Sequence, residues 1–239
     1  MKRLLLTAMA ALLLSIGTAS AESFEDGVEA FNHGDYATAI KRFKQAAAQG
    51  DASAQFSLGV MYENGQGVAQ DYAEVVKWYR LAAAQGVAEA QFNLGLMYEK
   101  GQVVAQGHTE AVTWYRLAAA QGMAEAQLNL GVAYNNGQGV AQDYAEAIKW
   151  FRQAAAQGVA EAQSNLGFMY SKGQGVTQDY VEAVKWYLLA ADQGIADAQN
   201  NLGVIYETGE GVARDAKQAV YWYQKPQSKG MPWRKTISG

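Results

Sequence analysis

The residues that could do chemistry form a short list. His33 and His108 are the two histidines, and they lie far apart in the chain. Acid pairs recur at Asp71 and Glu74, Asp143 and Glu146, and Asp179 and Glu182. Gly-x-Gly occurs at Gly65, Gly137, Gly173 and Gly209. Aromatic pairs such as Trp78-Tyr79 and Trp186-Tyr187 complete the set. Acid pairs suit general acid–base work, glycine loops suit phosphates, and aromatics suit stacked bases. Each reading meets an obstacle. The acid pairs stand where helices start, so capping explains them. A dinucleotide fingerprint needs a preceding strand, a third glycine and a following acid, and none is present. Aromatics at helical spacing pack between helices, and an isoelectric point near 5.3 opposes phosphate binding. Without cysteine there is no disulfide, thiolate zinc site or cysteine nucleophile, and two distant histidines make no metal cage. No catalytic residue, cofactor site or metal site is expected.

The elements that would position these residues follow from composition and period. The 239 residues are 50% hydrophobic and 18% charged, enough apolar content for a core and too little charge for a disordered polyampholyte. Twenty-five glycines accompany two prolines, Pro226 and Pro232, both in the tail. That balance fits many short helices joined at glycines. Residues 1–21 read as a secretory signal peptide. Lys2 and Arg3 precede an apolar run from Leu4 to Ile16, and Ala19-Ser20-Ala21 is a small-residue cleavage site. The expectation is an exported, periplasmic chain with no integral membrane segment after cleavage.

A period of 36 organises the rest. Gly50, Gly86, Gly122, Gly158, Gly194 and Gly230 keep that step, as do Trp78, Trp114, Trp150, Trp186 and Trp222. Leu58, Leu94, Leu130, Leu166 and Leu202, each followed by Gly, keep it too. Such self-similarity means a solenoid. Each unit reads as two helices, typified by Val87 to Lys100 and Thr109 to Gln121. Ala90, Leu94 and Tyr98 form one face of the first, where small residues let backbones approach. Asp143 before Tyr144-Ala145-Glu146 resembles a capping box opening the second. Gly158 and its equivalents suit left-handed helix ends, and Gly137 and Gly139 suit positive φ in the loop. The division is 22–50 as a capping hairpin that aligns with the array only in its second half. Units follow at 51–86, 87–122, 123–158, 159–194 and 195–225, the last incomplete.

The pattern resembles the Sel-1-like repeat family, a relative of the tetratricopeptide repeats. It is carried by Ala160-x-Ala162-Gln163-x-Asn165-Leu166-Gly167-x-x-Tyr170, by Gly173-x-Gly175-Val176, and by Ala183-x-x-Trp186-Tyr187-x-x-Ala190-Ala191-x-Gln193-Gly194. Val103 in place of the second loop glycine, and Gly107 in place of the cap Asp, depart from it, and that loop is expected to be reshaped. The resemblance implies an all-α right-handed solenoid and a non-enzymatic exported scaffold that binds proteins or peptides. It also implies two alternatives: a periplasmic immunity protein against a toxic effector, and a β-lactamase-like enzyme whose relatives carry cysteines absent here.

A partner surface can be sought in the positions that vary between units. On the first helix, one variable series is Phe56, Phe92, Leu128, Ser164 and Asn200. Another is Val60, Leu96, Val132, Phe168 and Val204, apolar in every unit yet never settled on one residue. Asn93, Asn129, Asn165 and Asn201 run alongside. First helices line the concave side of such solenoids, so these residues are candidates for a peptide groove. Two readings stay open for the second series: a groove, or packing on the adjacent helix. From Glu22 to Gln224 there are 13 basic and 23 acidic side chains, a net −10, which favours basic partners over nucleic acid.

The tail 226–239, PQSKGMPWRKTISG, breaks the period. Read one base back, the codon straddling Met231 and Pro232 is GCC. That straddling Trp233 and Arg234 is GCG when Arg234 uses a CGN codon. Both encode Ala, in register with Ala196 and Ala198. A string such as AAEQGHAVAQNNLG is encodable to the last residue. The reading is a one-base deletion near the codon for Lys225. Pro226 then stands at the place of Ala190 and cannot continue a helix, which should end near Gln224 or Lys225. Sequencing the gene checks this: restoring one base should continue the repeat, and DNA that does not do so refutes the frameshift.

Overall fold

The computed structural model describes residues 20–101 and 107–225. Most of the expected signal segment, Val103, and the tail from Pro226 lie outside them. Among the described residues every element is an α-helix. They are α1 (residues 20–32), α2 (Tyr36–Ala48), α3 (Ala52–Asn64), α4 (Tyr72–Ala84), α5 (Ala88–Lys100) and α6 (His108–Ala120). Then come α7 (Ala124–Asn136), α8 (Tyr144–Ala156), α9 (Ala160–Lys172), α10 (Tyr180–Asp192), α11 (Ala196–Thr208) and α12 (Ala216–Gln224). This is the all-α helix–loop–helix solenoid class that the period implies. Two compact units are distinguished, one ending at Gly107 and one beginning at His108. No described helix is long and apolar enough to cross a membrane. The helix α1 already contains Ser20 and Ala21, so cleavage after Ala21 would fall within its first described turn.

Within each unit the core is built by seating an aromatic ring on a glycine. Leu58, Leu94, Leu130, Leu166 and Leu202 are fully buried, and Gly59, Gly131, Gly167 and Gly203 each face an aromatic ring of the next helix. A Cβ on Gly131 would lie 2.6 Å from the Phe151 ring, and one on Gly167 would lie 2.6 Å from the Tyr187 ring. The small residues of the first helix thus let the two helices approach, the glycine by receiving the ring of the next helix on its backbone. Trp222 is buried, while Trp78 and Trp186 pack half-buried against clusters of this core, as their helical spacing suggests.

The first hairpin obeys the same rule in both halves. A Cβ on Gly27 would lie 2.7 Å from the Phe43 ring. Gly27 and Phe43 are 16 apart, whereas Gly131 and Phe151 are 20 apart, because the Gly34-Asp35 joint is shorter than the other loops. The alignment of only the second half with a strict 36-residue step is thus explained: the shorter joint displaces α1 by four positions.

Helix starts are half as expected. Asp143 Oδ1 accepts from the amides of Ala145 at 2.9 Å and Glu146 at 3.1 Å, and Asp71, Asp179 and Asp215 act alike. Each such cap contributes about 1 kcal/mol. The reciprocal half of a capping box is not formed. The Asp143 amide donates to Tyr134 O at 2.9 Å, so Glu146 is released to pair with Lys149 at 3.2 Å. That exposed pair contributes only a few tenths of a kcal/mol. Gly107 lacks the capping carboxylate but keeps the backbone bond, its amide reaching Tyr98 O at 3.0 Å.

Glutamines tie the hairpins together. Gln163 Nε2 donates to Ala155 O at 3.3 Å, and Gln193 Nε2 donates to Gln163 Oε1 at 2.9 Å. Gln127 and Gln157 repeat the pair at 2.8 Å. Gln199 bonds Ala191 O at 3.0 Å, but its buried Oε1 has no partner. The partnering glutamine would stand at position 229, which is Lys229 here and Gln in the shifted frame. The helix α12 ends at Gln224, where the sequence placed its end.

Two loop glycines with the same backbone conformation separate strain from contact. Gly173 and Gly175 have φ of 67° and 69°. A Cβ on Gly173 meets Gln178 at 3.3 Å, whereas one on Gly175 meets Tyr144 Cβ at 2.7 Å and its carbonyl carbon at 2.8 Å. Gly173→Ala should cost about 1 kcal/mol, from the left-handed conformation alone. Gly175→Ala should cost about 1–3 kcal/mol more, because the loop must leave α8. Thermal denaturation of both variants checks this; equal losses would refute the contact.

Candidate binding surface

The invariant positions of each first helix face inward, so the variable ones are left for another role. In the first unit Phe56, Val60, Phe92, Asn93 and Leu96 are all half-buried. Phe56 stacks on Tyr79, with centroids 5.6 Å apart and planes at 26°. In the second unit Leu128, Asn129, Phe168 and Asn201 are half-buried. Val132 is 6% exposed and joins the core cluster of Phe151, Leu166 and Met169. Asn165 is 2% exposed. Val204, at 40%, is the exposed member of the apolar series, beside exposed Asn200. The Phe168 ring packs on the α10–α11 core and lies 6.0 Å from Lys172 Nζ.

Tyrosines and acids of neighbouring helices lie beside the asparagine positions. Tyr79 Oη donates to Glu63 Oε2 at 2.6 Å, and Asn93 hydrogen-bonds the same hydroxyl. Burial first, and the Glu63 carboxylate second, push the Tyr79 phenol far above its ordinary range. In the second unit Tyr187 Oη lies 3.5 Å from Ser171 Oγ, and Tyr223 Oη donates to Glu207 at 2.9 Å. One signal was available: positions 63, 99, 135, 171 and 207 are polar throughout, and 79, 115, 151, 187 and 223 are aromatic throughout.

The first helices are acidic at their starts, with Glu89, Glu125, Glu161 and Asp197 in the first turns. Acids there are favoured by the helix dipole and add to the negative charge of the face. The former candidates for chemistry are otherwise employed: Asp71, Asp143 and Asp179 cap helices, and His33 Nδ1 lies 2.8 Å from Glu29 O. Among the described residues no three His, Cys, Asp or Glu side chains are grouped to hold a metal.

The sequence profile of the Sel1 repeat matches six consecutive segments: 19–51, 52–87, 88–123, 124–159, 160–195 and 196–225. The chain belongs to the Sel1 repeat family. The first hairpin counts as a repeat in this description, in keeping with its ring seat. A Sel1 repeat protein from Oxalobacter formigenes has a similar structure, with a TM-score of 0.80 and 38% identity over 84% of this chain and 83% of that one. A protective antigen of uropathogenic Escherichia coli, also of the SLR fold, has a TM-score of 0.80 and 37% identity, over 88% of this chain and 47% of the antigen. This chain thus spans about half the antigen's length. No curated protein matches.

The buried phenols give this Sel1 repeat array a dependence on alkaline pH. The Tyr187 phenol is pushed up to about 12, chiefly by burial. A raised phenol pKa leaves stability intact below the unfolded value near 10 and removes it as pH rises toward about 12. Tyr187→Phe should flatten the fall of Tm between those limits; an unchanged slope would mean that the phenol is not held in the core.

Proposed function

We propose that this Sel1 repeat protein is a non-enzymatic scaffold that binds a protein or peptide on the surface that the first helices form within each unit. The carrying observation is a division between positions. Within each unit the repeating residues close the core, while the first-helix positions 56, 92, 128, 164 and 200 carry Phe, Phe, Leu, Ser and Asn, and positions 60, 96, 132, 168 and 204 carry Val, Leu, Val, Phe and Val. Half-buried Asn129 and Asn201 offer hydrogen bonds to an extended backbone, and apolar side chains at unit-specific places offer specificity. The net negative charge from Glu22 to Gln224 favours a basic partner. The ordered basic, apolar and small-residue segments of 1–21 support export to the periplasm.

The test is capture from a periplasmic extract with the native chain and with Phe92→Ser and Phe168→Ser variants. Loss of a captured partner, by about 10-fold or more, with Tm unchanged supports the surface. A large fall in Tm in both variants would refute it, since the rings would then belong to the core.

A further inference from the structure

In the 36-residue units the aromatic series at positions 79, 115, 151, 187 and 223 contains one residue without a hydroxyl, Phe151; the first hairpin's Phe43 also lacks one. Tyr79, Tyr187 and Tyr223 each place the phenol oxygen near a polar group on the preceding first helix. Phe151 occupies the same seat: its Cδ1–Cε1 edge faces Gly131 as the corresponding edge of Tyr187 faces Gly167. The places of Glu63 and Asn93 in the Tyr79 layer are taken by Asn135 and Asn165 in the Phe151 layer. These two asparagines are 4% and 2% exposed. Asn135 Oδ1 and Asn165 Nδ2 are buried and have no hydrogen-bond partner.

The chemistry of these two atoms selects what they bind. Asn135 Nδ2 donates to Asn136 Oδ1 at 2.8 Å, which orients the Asn135 amide and leaves its oxygen as the free atom. The pair is therefore one acceptor and one donor. A cation would want several oxygens, and an anion several N–H groups. The complement is a neutral group that donates once and accepts once, as the Tyr79 phenol does between Glu63 and Asn93. The unpartnered indole N–H groups of Trp78, Trp150, Trp186 and Trp222 differ in kind, because they recur from repeat to repeat. The asparagine pair occurs where tyrosine is replaced by phenylalanine.

We infer that Asn135 and Asn165 form a binding site for a single water molecule, held between α7, α8 and α9 at the place of the phenol oxygen that Phe151 lacks. The water donates to Asn135 Oδ1 and accepts from Asn165 Nδ2. Buried waters are held by polar groups of this sort, usually by two to four of them.

A high-resolution crystal structure of the full chain tests the site directly. One ordered water within about 2.7–3.2 Å of both atoms is expected. Direct pairing of the two amides, or their rotation onto other protein groups with no density between them, would overturn the inference. The variant Phe151→Tyr tests the same site independently. Its phenol oxygen should replace the water, raising Tm by about 2–4 °C. A lowered Tm, or a phenol turned aside with the water retained, would count against the site.

Discussion

The structure rests on the contact between an aromatic ring on each second helix and a glycine on the helix before it. With no Cβ at Gly131 or Gly167, the ring of Phe151 or Tyr187 lies directly on the helical backbone. Any larger residue would force the two helices apart, because a buried ring has nowhere to move in a close-packed interior. The separation of the helices is thus set by the thickness of a ring. Every hairpin that keeps the seat inherits that separation, including the first, whose joint is shorter. The fully buried leucine beside each glycine adds its own apolar area to the same contact.

Around this seat the polar groups are matched by partners that recur with it. The first-helix tyrosine carbonyl takes the amide of the next cap residue, as Tyr134 takes Asp143. A buried glutamine reaches an alanine carbonyl eight residues back and receives a second glutamine thirty residues on. Arg116 reaches the Tyr134 hydroxyl at 2.7 Å, as Arg80 reaches Tyr98. Burying this polar surface costs less wherever a group meets a partner at a repeated distance. Gln199 Oε1, Asn135 Oδ1 and Asn165 Nδ2 lack such a partner, as do the recurring indole N–H groups of Trp78, Trp150, Trp186 and Trp222. The positions that take no part in this matching are free to vary, and they carry the proposed partner surface.

Legibility followed the periodicity. The helices, the capping aspartates and the glycines of positive φ could be read from residue types at a fixed step, because their causes are local. The first hairpin aligned with the array only in its second half, because a joint four residues shorter breaks a fixed step without altering the packing. The capping box was read as reciprocal, yet its second half depends on Tyr134 O, which comes from another helix. Among the surface candidates, the series of Val60, Leu96, Val132, Phe168 and Val204 looked uniform on a helical wheel. In the structure it runs from a 6% exposed Val132 to a 40% exposed Val204.

What the amino-acid sequence by itself determined was the repeat, the number of helices per repeat and the family. Each of these follows from interactions within one helix or between adjacent turns, and so from residues close in the chain. What only the tertiary structure decided was the use made of each face: that glycine receives a ring, that the Asp143 amide goes to Tyr134 O and leaves Glu146 to Lys149, and that Asn135 and Asn165 are buried with unpartnered amide atoms. Those outcomes depend on helices packing against one another, and so on residues far apart in the chain. Periodicity places such atoms in equivalent positions, but only the packed helices show which of them find a partner.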